Sequence, residues 1–319
     1  MARAEPRPMS SPVAAPTPAI ELVNASRWYG NVVAVNDISF TVGPGITGLL
    51  GPNGAGKSTI LHMVAGFLNP SSGAVDVVGR PAWRNPEIYR RVGLVPEREA
   101  VYPFLTGYEF VLLNARLHKL AAPDEAAMRA IQAVDMEDAC HRTTGGYSKG
   151  MKQRVKFAAA IVHDPPLLLL DEPFNGTDPR QRLQMMDLLR QMAAEGRTIV
   201  FSSHILEEVE RLADNVLVIV AGRLAASGDF REIRRLMTDR PHTFTLRSGD
   251  NRRLASALVA DPSVRGIELI DDQLSVRASD FGGFVLAAPR VARESGVTLF
   301  EFLPTDESLE SVFSYLVER

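Results

Sequence analysis

The sequence predicts an α/β fold with a mainly parallel sheet, followed by a smaller α+β unit. Strand and helix patterns alternate from Ile20 to about Gly228, an order that is typical of parallel sheets. Leu167–Leu170 is a continuous apolar run, as expected for a parallel strand that is buried on both faces. Beyond about Arg240 the predicted elements follow the order β-α-β-β-α-β instead.

The composition agrees with this fold and excludes several other classes. The chain has 319 residues, of which 45% are apolar, enough for one large and one small domain. A net charge of −3 gives no basic surface of the kind that binds nucleic acid. The single cysteine, Cys140, excludes an intrachain disulfide, and no apolar stretch reaches the roughly 18 residues of a membrane span. Residues 1–18 contain five prolines and no continuous apolar segment, so we expect a disordered tail rather than a signal peptide.

The first strands lead into a glycine-rich loop and a helix. Short β patterns occur at Ile20–Val23, Val32–Val35, Ile38–Val42, Ile46–Leu50 and Val75–Val78. The loop after the fourth of them consists of Gly51, Pro52, Asn53, Gly54, Ala55, Gly56, Lys57, Ser58 and Thr59. A helical pattern continues from Thr59 to Phe67, which completes the strand–loop–helix context of a P-loop.

A P-loop has a clear physical purpose. Its glycines let successive N–H groups point at phosphate oxygens, and the helix start adds partial positive charge at the same place. We expect Lys57 to reach the β- and γ-phosphates and the Ser58 hydroxyl to ligate Mg²⁺.

A mainly helical segment separates this loop from a second motif, which is acidic. Amphipathic patterns at Gly107–Leu120 and Asp124–Met136 predict helices there, and Leu167–Leu170 then ends in Asp171 and Glu172. Ligands bind at the carboxyl ends of parallel strands, so Asp171 is placed to hold Mg²⁺ and Glu172 to activate a water. The predicted elements that follow are helix Pro179–Ala194, strand Thr198–Ser202, helix Ile205–Ala213 and strand Val216–Val220.

Four further short motifs lie between and after these two. They are Arg27–Gly30, Tyr147–Met151, Asn175–Pro179 and Ser202–His204. In this order and spacing, the motifs resemble the nucleotide-binding domain of ATP-binding cassette (ABC) proteins. The similarity covers about Ile20–Gly228 and is greatest to the ATPase subunits of drug, antibiotic and lipid exporters whose membrane part is a separate chain.

The resemblance implies a P-loop NTPase fold for the ABC nucleotide-binding domain, residues 19–235, with a helical subdomain over about 98–165. Residues 240–319 would form a small α+β C-terminal domain, for which the element order suggests a ferredoxin-like fold. Its last predicted element is a helix at Asp306–Val317.

The resemblance also implies a role for each short motif. Tyr29 matches the aromatic residue that stacks on adenine. Ser148 and Gly150 belong to the signature motif, YSKGM here and usually LSGGQ, which faces the γ-phosphate bound by the other subunit. Asp178 lies in the D-loop, and His204 matches the histidine that holds the attacking water and Glu172 in register. Helix capping by Ser148 and Asp178 is the alternative interpretation, and the two are compatible.

Two positions depart from the family pattern. Glu97 stands where Gln is usual and is expected on the metal side, where it would also place like charge near Asp171 and Glu172. Lys149 replaces an inner glycine of the signature and either adds positive charge near the phosphates or lies in solvent. Just after Glu97, Tyr102–Thr106 resembles the surface that meets the coupling helix of the membrane partner.

Three function classes follow from these motifs. The first is an ATP- and Mg²⁺-dependent hydrolase with Glu172, His204 and Lys57 in catalysis, working as a homodimer or heterodimer of nucleotide-binding domains. A separate polytopic permease would hold it at the cytoplasmic face of the cell membrane. The second is a transport-independent ABC ATPase in assembly or repair, which usually has a coiled-coil insertion, zinc cysteines or two cassettes. The third is a non-hydrolysing, ATP-gated module, against which the intact catalytic set argues.

Overall fold

The computed structural model describes residues 18–98, 100–229 and 241–305. Its strands are β1 (Ile20–Tyr29), β2 (Val32–Val42), β3 (Gly45–Leu50), β4 (Ser72–Val77), β5 (Arg80–Pro81), β6 (Val92–Val95), β7 (Leu167–Asp171), β8 (Thr198–Ser203), β9 (Asn215–Val220), β10 (Arg223–Gly228), β11 (His242–Ser248), β12 (Val264–Ile270), β13 (Gln273–Ala278) and β14 (Leu299–Pro304). Its α-helices are α1 (Lys57–Val64), α2 (Gly107–Leu117), α3 (Pro123–Ala133), α4 (Lys149–Ile161), α5 (Pro179–Ala194), α6 (Leu206–Leu212), α7 (Asn251–Leu258) and α8 (Phe281–Glu294). Among these residues, no helix is long and apolar enough to cross a bilayer.

The central sheet has the order β10-β9-β3-β8-β7-β6. All pairs from β9 to β6 are parallel, and only β10 is antiparallel to its neighbour, so the predicted parallel core is confirmed. The sequence did not predict β10, because its alternating exposed and half-buried residues give little strand signal. This arrangement brings the carboxyl ends of β3, β7 and β8 to one edge of the sheet.

Strand β7 is apolar throughout because its four leucines pack into two different cores. Leu167 and Leu169 belong to one core, together with residues of α1 and of the first strands. Leu168 and Leu170 belong to the other core, together with residues of α2 to α5. Successive side chains of a strand point to opposite faces, so a strand between two helical or sheet layers needs apolar residues at every position.

A second, antiparallel sheet has the order β2-β1-β4-β5. The prediction of two strands, Val32–Val35 and Ile38–Val42, was wrong, since β2 runs through both without a break. Between the pairs Ala25–Ile38 and Arg27–Val35, β2 has two residues where β1 has one, and Asp37 there adopts a left-handed φ of 52°. Asp tolerates that conformation, so its pair with Asn36 forms a bulge inside the strand rather than a turn.

The helices differ from their predicted bounds mainly at their ends. α1 starts two residues earlier than predicted and stops at Val64, because Gly66 with a φ of 73° turns the chain. α2 and α3 are each three residues shorter at the carboxyl end than predicted. α5 has the predicted bounds, which Asp178 and Pro179 define as N-cap and first helical residue.

α4 lies very close to strand β6. A Cβ added to Gly93 of β6 would lie 2.3 Å from the carbonyl oxygen of Ala160, near the carboxyl end of α4. A backbone atom cannot move aside as a flexible side chain can, so this approach requires glycine. The close approach of Gly93 to the Ala160 carbonyl therefore helps to set the position of α4 on the sheet.

The described residues after 240 form a third sheet, with the order β12-β13-β11-β14. Along the chain the elements follow the order β-α-β-β-α-β that the sequence predicts, with α7 and α8 supplying apolar residues to a separate core. The domain boundaries stay a prediction. Most of the predicted tail, the segment 230–240 and the predicted helix Asp306–Val317 lie outside the described residues.

Two histidine rings stack beside α4. The ring centres of His118, after α2, and His163, after α4, are 3.7 Å apart with an interplanar angle of 7°. Burial lowers the pKa of both rings, and repulsion from His118 helps to lower the pKa of His163 to about 4. The stack therefore favours neutral rings.

Acid is expected to destabilise the protein through this stack. Because the pKa of His163 is lower in the folded than in the unfolded chain, its contribution is complete above pH 6.5 and is lost as the pH falls towards 4. The ring is partly exposed, so we expect a loss of only about 1 kcal/mol between pH 7.5 and 5. His163→Phe keeps a stacking ring and should remove most of this loss in denaturant unfolding, whereas His141→Phe, outside the stack, should not. Equal pH dependence in wild type and His163→Phe would contradict the assignment.

Candidate active site

The loop between β3 and α1 forms a concave turn at the carboxyl edge of the central sheet. Gly54 and Gly56 adopt left-handed φ values of 79° and 105°. A Cβ at Gly56 would also lie 2.4 Å from the carbonyl oxygen of Ala34 in β2, so no other residue fits. Left-handed residues between right-handed ones turn backbone N–H groups to one side, and such a nest binds anions. The loop therefore has the shape that a phosphate chain needs.

Lys57 places a positive charge against this loop. Its side chain is only 6% exposed, and Nζ donates to the carbonyl oxygens of Gly51 at 2.7 Å and Pro52 at 3.3 Å. The same Nζ lies 3.7 Å from Oε1 of Glu172. The ammonium is thus held between the loop and the end of β7, next to the nest.

A cleft of about 340 Å³ opens over the loop. Its lining residues are Ala34, Asn53, Gly54, Gly56, Lys57, Ser58, Thr59, Glu97 and Glu172. The structure thus brings most of the predicted loop together with both predicted glutamates. Three residues of the loop do not line the cleft: Gly51 and Ala55 are buried, and Pro52 is exposed. Hydroxyl and carboxylate oxygens are the ligands that Mg²⁺ prefers, so Ser58 and Glu97 suit this metal.

Asp171 and Glu172 are positioned by a residue that the sequence analysis missed. Ser202 of β8 donates its hydroxyl proton to Oδ1 of Asp171 at 2.6 Å and accepts a hydrogen bond from the backbone N–H of Glu172 at 2.9 Å. The parallel register places Ser202 directly opposite Asp171, and all three residues are buried. The only sign of this role in the sequence is the serine at the end of the predicted strand Thr198–Ser202.

Glu172 has a strained backbone. Its φ of 48° lies in the left-handed region, which costs a non-glycine residue about 1–3 kcal/mol. Such strain persists only where the surrounding contacts hold the residue in place, and here the Ser202 hydroxyl holds its N–H. In this conformation Glu172 lines the cleft.

His204 contacts the other oxygen of the same carboxylate. Its Nδ1 lies 2.9 Å from Oε2 of Glu172, and the imidazole is 41% exposed. An ionised carboxylate only accepts hydrogen bonds, so with Glu172 ionised the donor in this contact is the Nδ1–H of His204. Glu172 is therefore fixed between His204 and Lys57.

The buried side chain of Glu208 is hydrogen-bonded to the segment that contains His204. Ser203 accepts a hydrogen bond from the Ile205 N–H at 3.0 Å and donates its hydroxyl proton to Oε2 of Glu208 at 2.7 Å. Oε1 of Glu208 lies 3.4 Å from Nη1 of Arg182 on α5. Burial raises the pKa of Glu208. This network, also missed from the sequence, joins α5, α6 and the end of β8.

The remaining predicted residues are not among those lining the cleft. Tyr29 ends β1, is 44% exposed and has the guanidinium of Arg27 4.9 Å above its ring. Ser148 caps α4 through the Met151 N–H, and Asp178 caps α5 through the Gln181 N–H, so the capping interpretation holds for both. Gly150 is buried, and a Cβ there would lie 2.3 Å from Oε1 of Gln181, so the starts of α4 and α5 are adjacent.

Sequence comparison gives relatives that match most of this chain and most of their own length. A family model described as ABC transporter matches residues 35–175. The Nod factor export ATP-binding protein I of Rhizobium meliloti (strain 1021) is 34% identical over 97% of this chain and 90% of its own length. An uncharacterized ABC transporter ATP-binding protein of Bacillus subtilis (strain 168), YxlF, is 31% identical over 93% of this chain and 99% of its own length.

Structural comparison agrees with these relatives. An ATP-binding subunit of an ABC transporter, 31% identical, has a TM-score of 0.63 and covers 68% of this chain and 92% of its own. A dimeric ATP-binding cassette in a post-hydrolysis state with ADP and Pi is 22% identical, with a TM-score of 0.62 over 66% of this chain and 98% of its own, which shows a shared fold. This chain belongs to the family of ABC transporter ATP-binding proteins, and it is an ATP-hydrolysing cassette with the P-loop NTPase fold.

Proposed function

We propose that ATP hydrolysis by this chain powers export through a separate polytopic membrane permease. The observation that carries the hydrolytic part is the carboxylate of Glu172, which lines the cleft and is fixed between His204 and Lys57. Export is inferred from the Nod factor export protein, whose similarity extends over 97% of the chain and thus beyond the cassette.

Residues that line the cleft and residues around it then have separate tasks in hydrolysis. The loop N–H groups and Lys57 bind the phosphates, and Tyr29 stacks on the adenine. Glu172 orients a water and accepts its proton, while His204 keeps that carboxylate aimed at the cleft. With a proton on each ring nitrogen, His204 would also donate from Nε2 to the γ-phosphate. Ser58, Asp171 and Glu97 would hold Mg²⁺, which when bound neutralises phosphate charge.

The active unit would be a dimer of two cassettes. Ser148, Gly150 and Asp178 lie at the adjacent starts of α4 and α5 and do not line the cleft of their own chain. In a head-to-tail pair these helix starts would face the phosphates held by the other copy, with their N–H groups and dipoles directed at negative charge. The second copy is an identical chain or a similar ATPase; the geometry of the site suits both.

The permease would bind near the segment that follows Glu97. Tyr102 and Phe104 are 52% and 74% exposed there, and their rings lie 5.9 Å apart. Exposed neighbouring aromatic rings are typical of protein contact sites. Binding there would place the chain on the cytoplasmic face of the membrane. The transport-independent alternative is disfavoured, because the relatives that match most of the chain are named as export or transporter proteins.

Recovery of the membrane partner tests this proposal. Tagged Glu172→Gln protein, incubated with ATP and Mg²⁺ in detergent-solubilised host membranes, is expected to retain one polytopic protein at fixed stoichiometry. Replacing Tyr102 and Phe104 together by Ala should release it. Phe300→Ala, which removes an equally exposed ring from β14, is the matched control and should not. Recovery of soluble partners alone, with wild-type protein that hydrolyses ATP, would overturn the export function.

A further inference from the structure

Lys156 on α4 is a buried lysine whose charge the hydrolytic site does not use. Its side chain is 5% exposed. Nζ lies 2.7 Å from the carbonyl oxygen of Pro96, 3.1 Å from that of Arg98 and 3.5 Å from that of Glu97. An ammonium has three donor protons, and burial of a charge is tolerated only where such donors find acceptors. One side chain thus gathers three consecutive carbonyl groups.

The segment that Lys156 holds carries a residue of the cleft. Residues 96–98 leave the end of β6, and Glu97 lines the cleft together with Ser58 and Glu172. Lys156 itself lines a different cavity, with Phe67, Tyr89 and the two stacked histidines. Lys156 is therefore connected with the nucleotide cleft through the backbone of residues 96–98, whose carbonyls it binds.

α4 connects this anchor with the Ser148 end of the same helix. Lys156 lies seven residues after Lys149, the first residue of α4, which is about 10 Å along a helix axis. Beyond Lys156, the close approach of Ala160 to Gly93 seats the helix on β6. A displacement of α4 would therefore move the anchor and, with it, the carbonyls around Glu97.

We propose that Lys156 is a positioning residue that sets the place of the Glu97 carboxylate and thereby the affinity of the cleft for a divalent cation with nucleotide. The inference rests on the proposed metal-side role of Glu97. Lys156 belongs to none of the sequence motifs, and the proposal gives it a role. It also links the position of α4, the helix that Ser148 caps, to metal binding in the same chain.

The test compares nucleotide affinity with and without metal. Binding of a non-hydrolysable ATP analogue is measured by calorimetry in excess Mg²⁺ and in EDTA, and the ratio of the two affinities is the readout. Lys156→Met keeps the apolar stem and removes all donors, so we expect the ratio to fall about 10-fold, as for loss of a charged hydrogen bond. Affinity in EDTA should stay within about twofold, because the loop and Lys57 are untouched.

Two further variants separate positioning from a general structural effect. Lys156→Arg retains donors and should recover most of the ratio. Arg154→Met, which on the same helix removes donors to the carbonyls of Val134 and Asp135, should leave the ratio unchanged. Thermal unfolding of each variant identifies any that fails to fold. Amide hydrogen exchange of Glu97 and Arg98 should rise in Lys156→Met alone.

A double-mutant cycle decides whether Lys156 acts through Glu97. In a Glu97→Gln background, Lys156→Met is expected to change the ratio by less than about twofold. Additive losses, or an unchanged ratio in Lys156→Met itself, would overturn the inference. Failure of the wild type to bind the analogue under any condition would overturn the proposed ATP-dependent function instead, so the two failures are distinguishable.

Discussion

Replacing Glu172 by Gln is expected to reduce ATP turnover by about 10²- to 10⁴-fold while ATP still binds. The amide is nearly the same size as the carboxylate but cannot accept a proton from water. It also gives up the charge that lies 3.7 Å from Nζ of Lys57 and 2.9 Å from Nδ1 of His204. Because the phosphate loop is unchanged, ATP should remain bound, and closed dimers should accumulate.

Steady-state phosphate release, ATP binding and size-exclusion chromatography with ATP check this expectation together. Glu210→Gln serves as the matched control, since it makes the same substitution on the exposed side of α6. It should turn over like the wild type. Ordinary turnover in Glu172→Gln would remove Glu172 as the base, and a monomer with bound ATP would contradict the head-to-tail dimer.

Replacing Lys57 by Ala is expected to weaken ATP binding itself by roughly 10- to 100-fold, the effect of losing a charged hydrogen bond of about 1.5–3 kcal/mol. The substitution removes the positive charge beside the nest and the hydrogen bonds to the Gly51 and Pro52 carbonyls. It also leaves Glu172 without its ion pair. The loss should therefore appear in affinity as well as in turnover.

Direct binding of a fluorescent ATP analogue measures this loss, and thermal unfolding shows whether the loop still folds. Lys149→Ala is a useful comparison, because it removes an exposed lysine that either adds positive charge near the phosphates of the other copy or lies in solvent. In a dilute monomeric sample it should bind the analogue with wild-type affinity. Unchanged affinity in Lys57→Ala would exclude Lys57 from the phosphate site.

Local patterns predicted the parts of the site that depend on neighbouring residues. The loop from Gly51 to Thr59 combines backbone freedom with a following helix. A short, continuous apolar run with acidic residues after it is typical of a buried parallel strand, and Asp171 does end β7. α5 has its predicted bounds because an N-cap and a proline define its start. In each case, the residues that determine the structure are adjacent in the sequence.

Contacts between distant residues could not be predicted in this way. Ser202 lies 31 residues from Asp171, and Lys156 lies 60 residues from Pro96. Neither a serine at a strand end nor a lysine in a helix has a period or a motif that marks its partner. The continuity of β2 was missed for a related reason, since Asn36 and Asp37 look like a turn until their pairing with β1 is known.

The left-handed backbone of Glu172 has a consequence for how this sequence can change over time. Glycine or asparagine would occupy that conformation at lower backbone cost, but either would give up the carboxylate that contacts Lys57 and His204. The strain at position 172 would be relieved only in a gene copy that no longer needs this carboxylate. Among descendants of the chain, Gly or Asn at position 172 would therefore mark copies that have given up hydrolysis while they keep the fold.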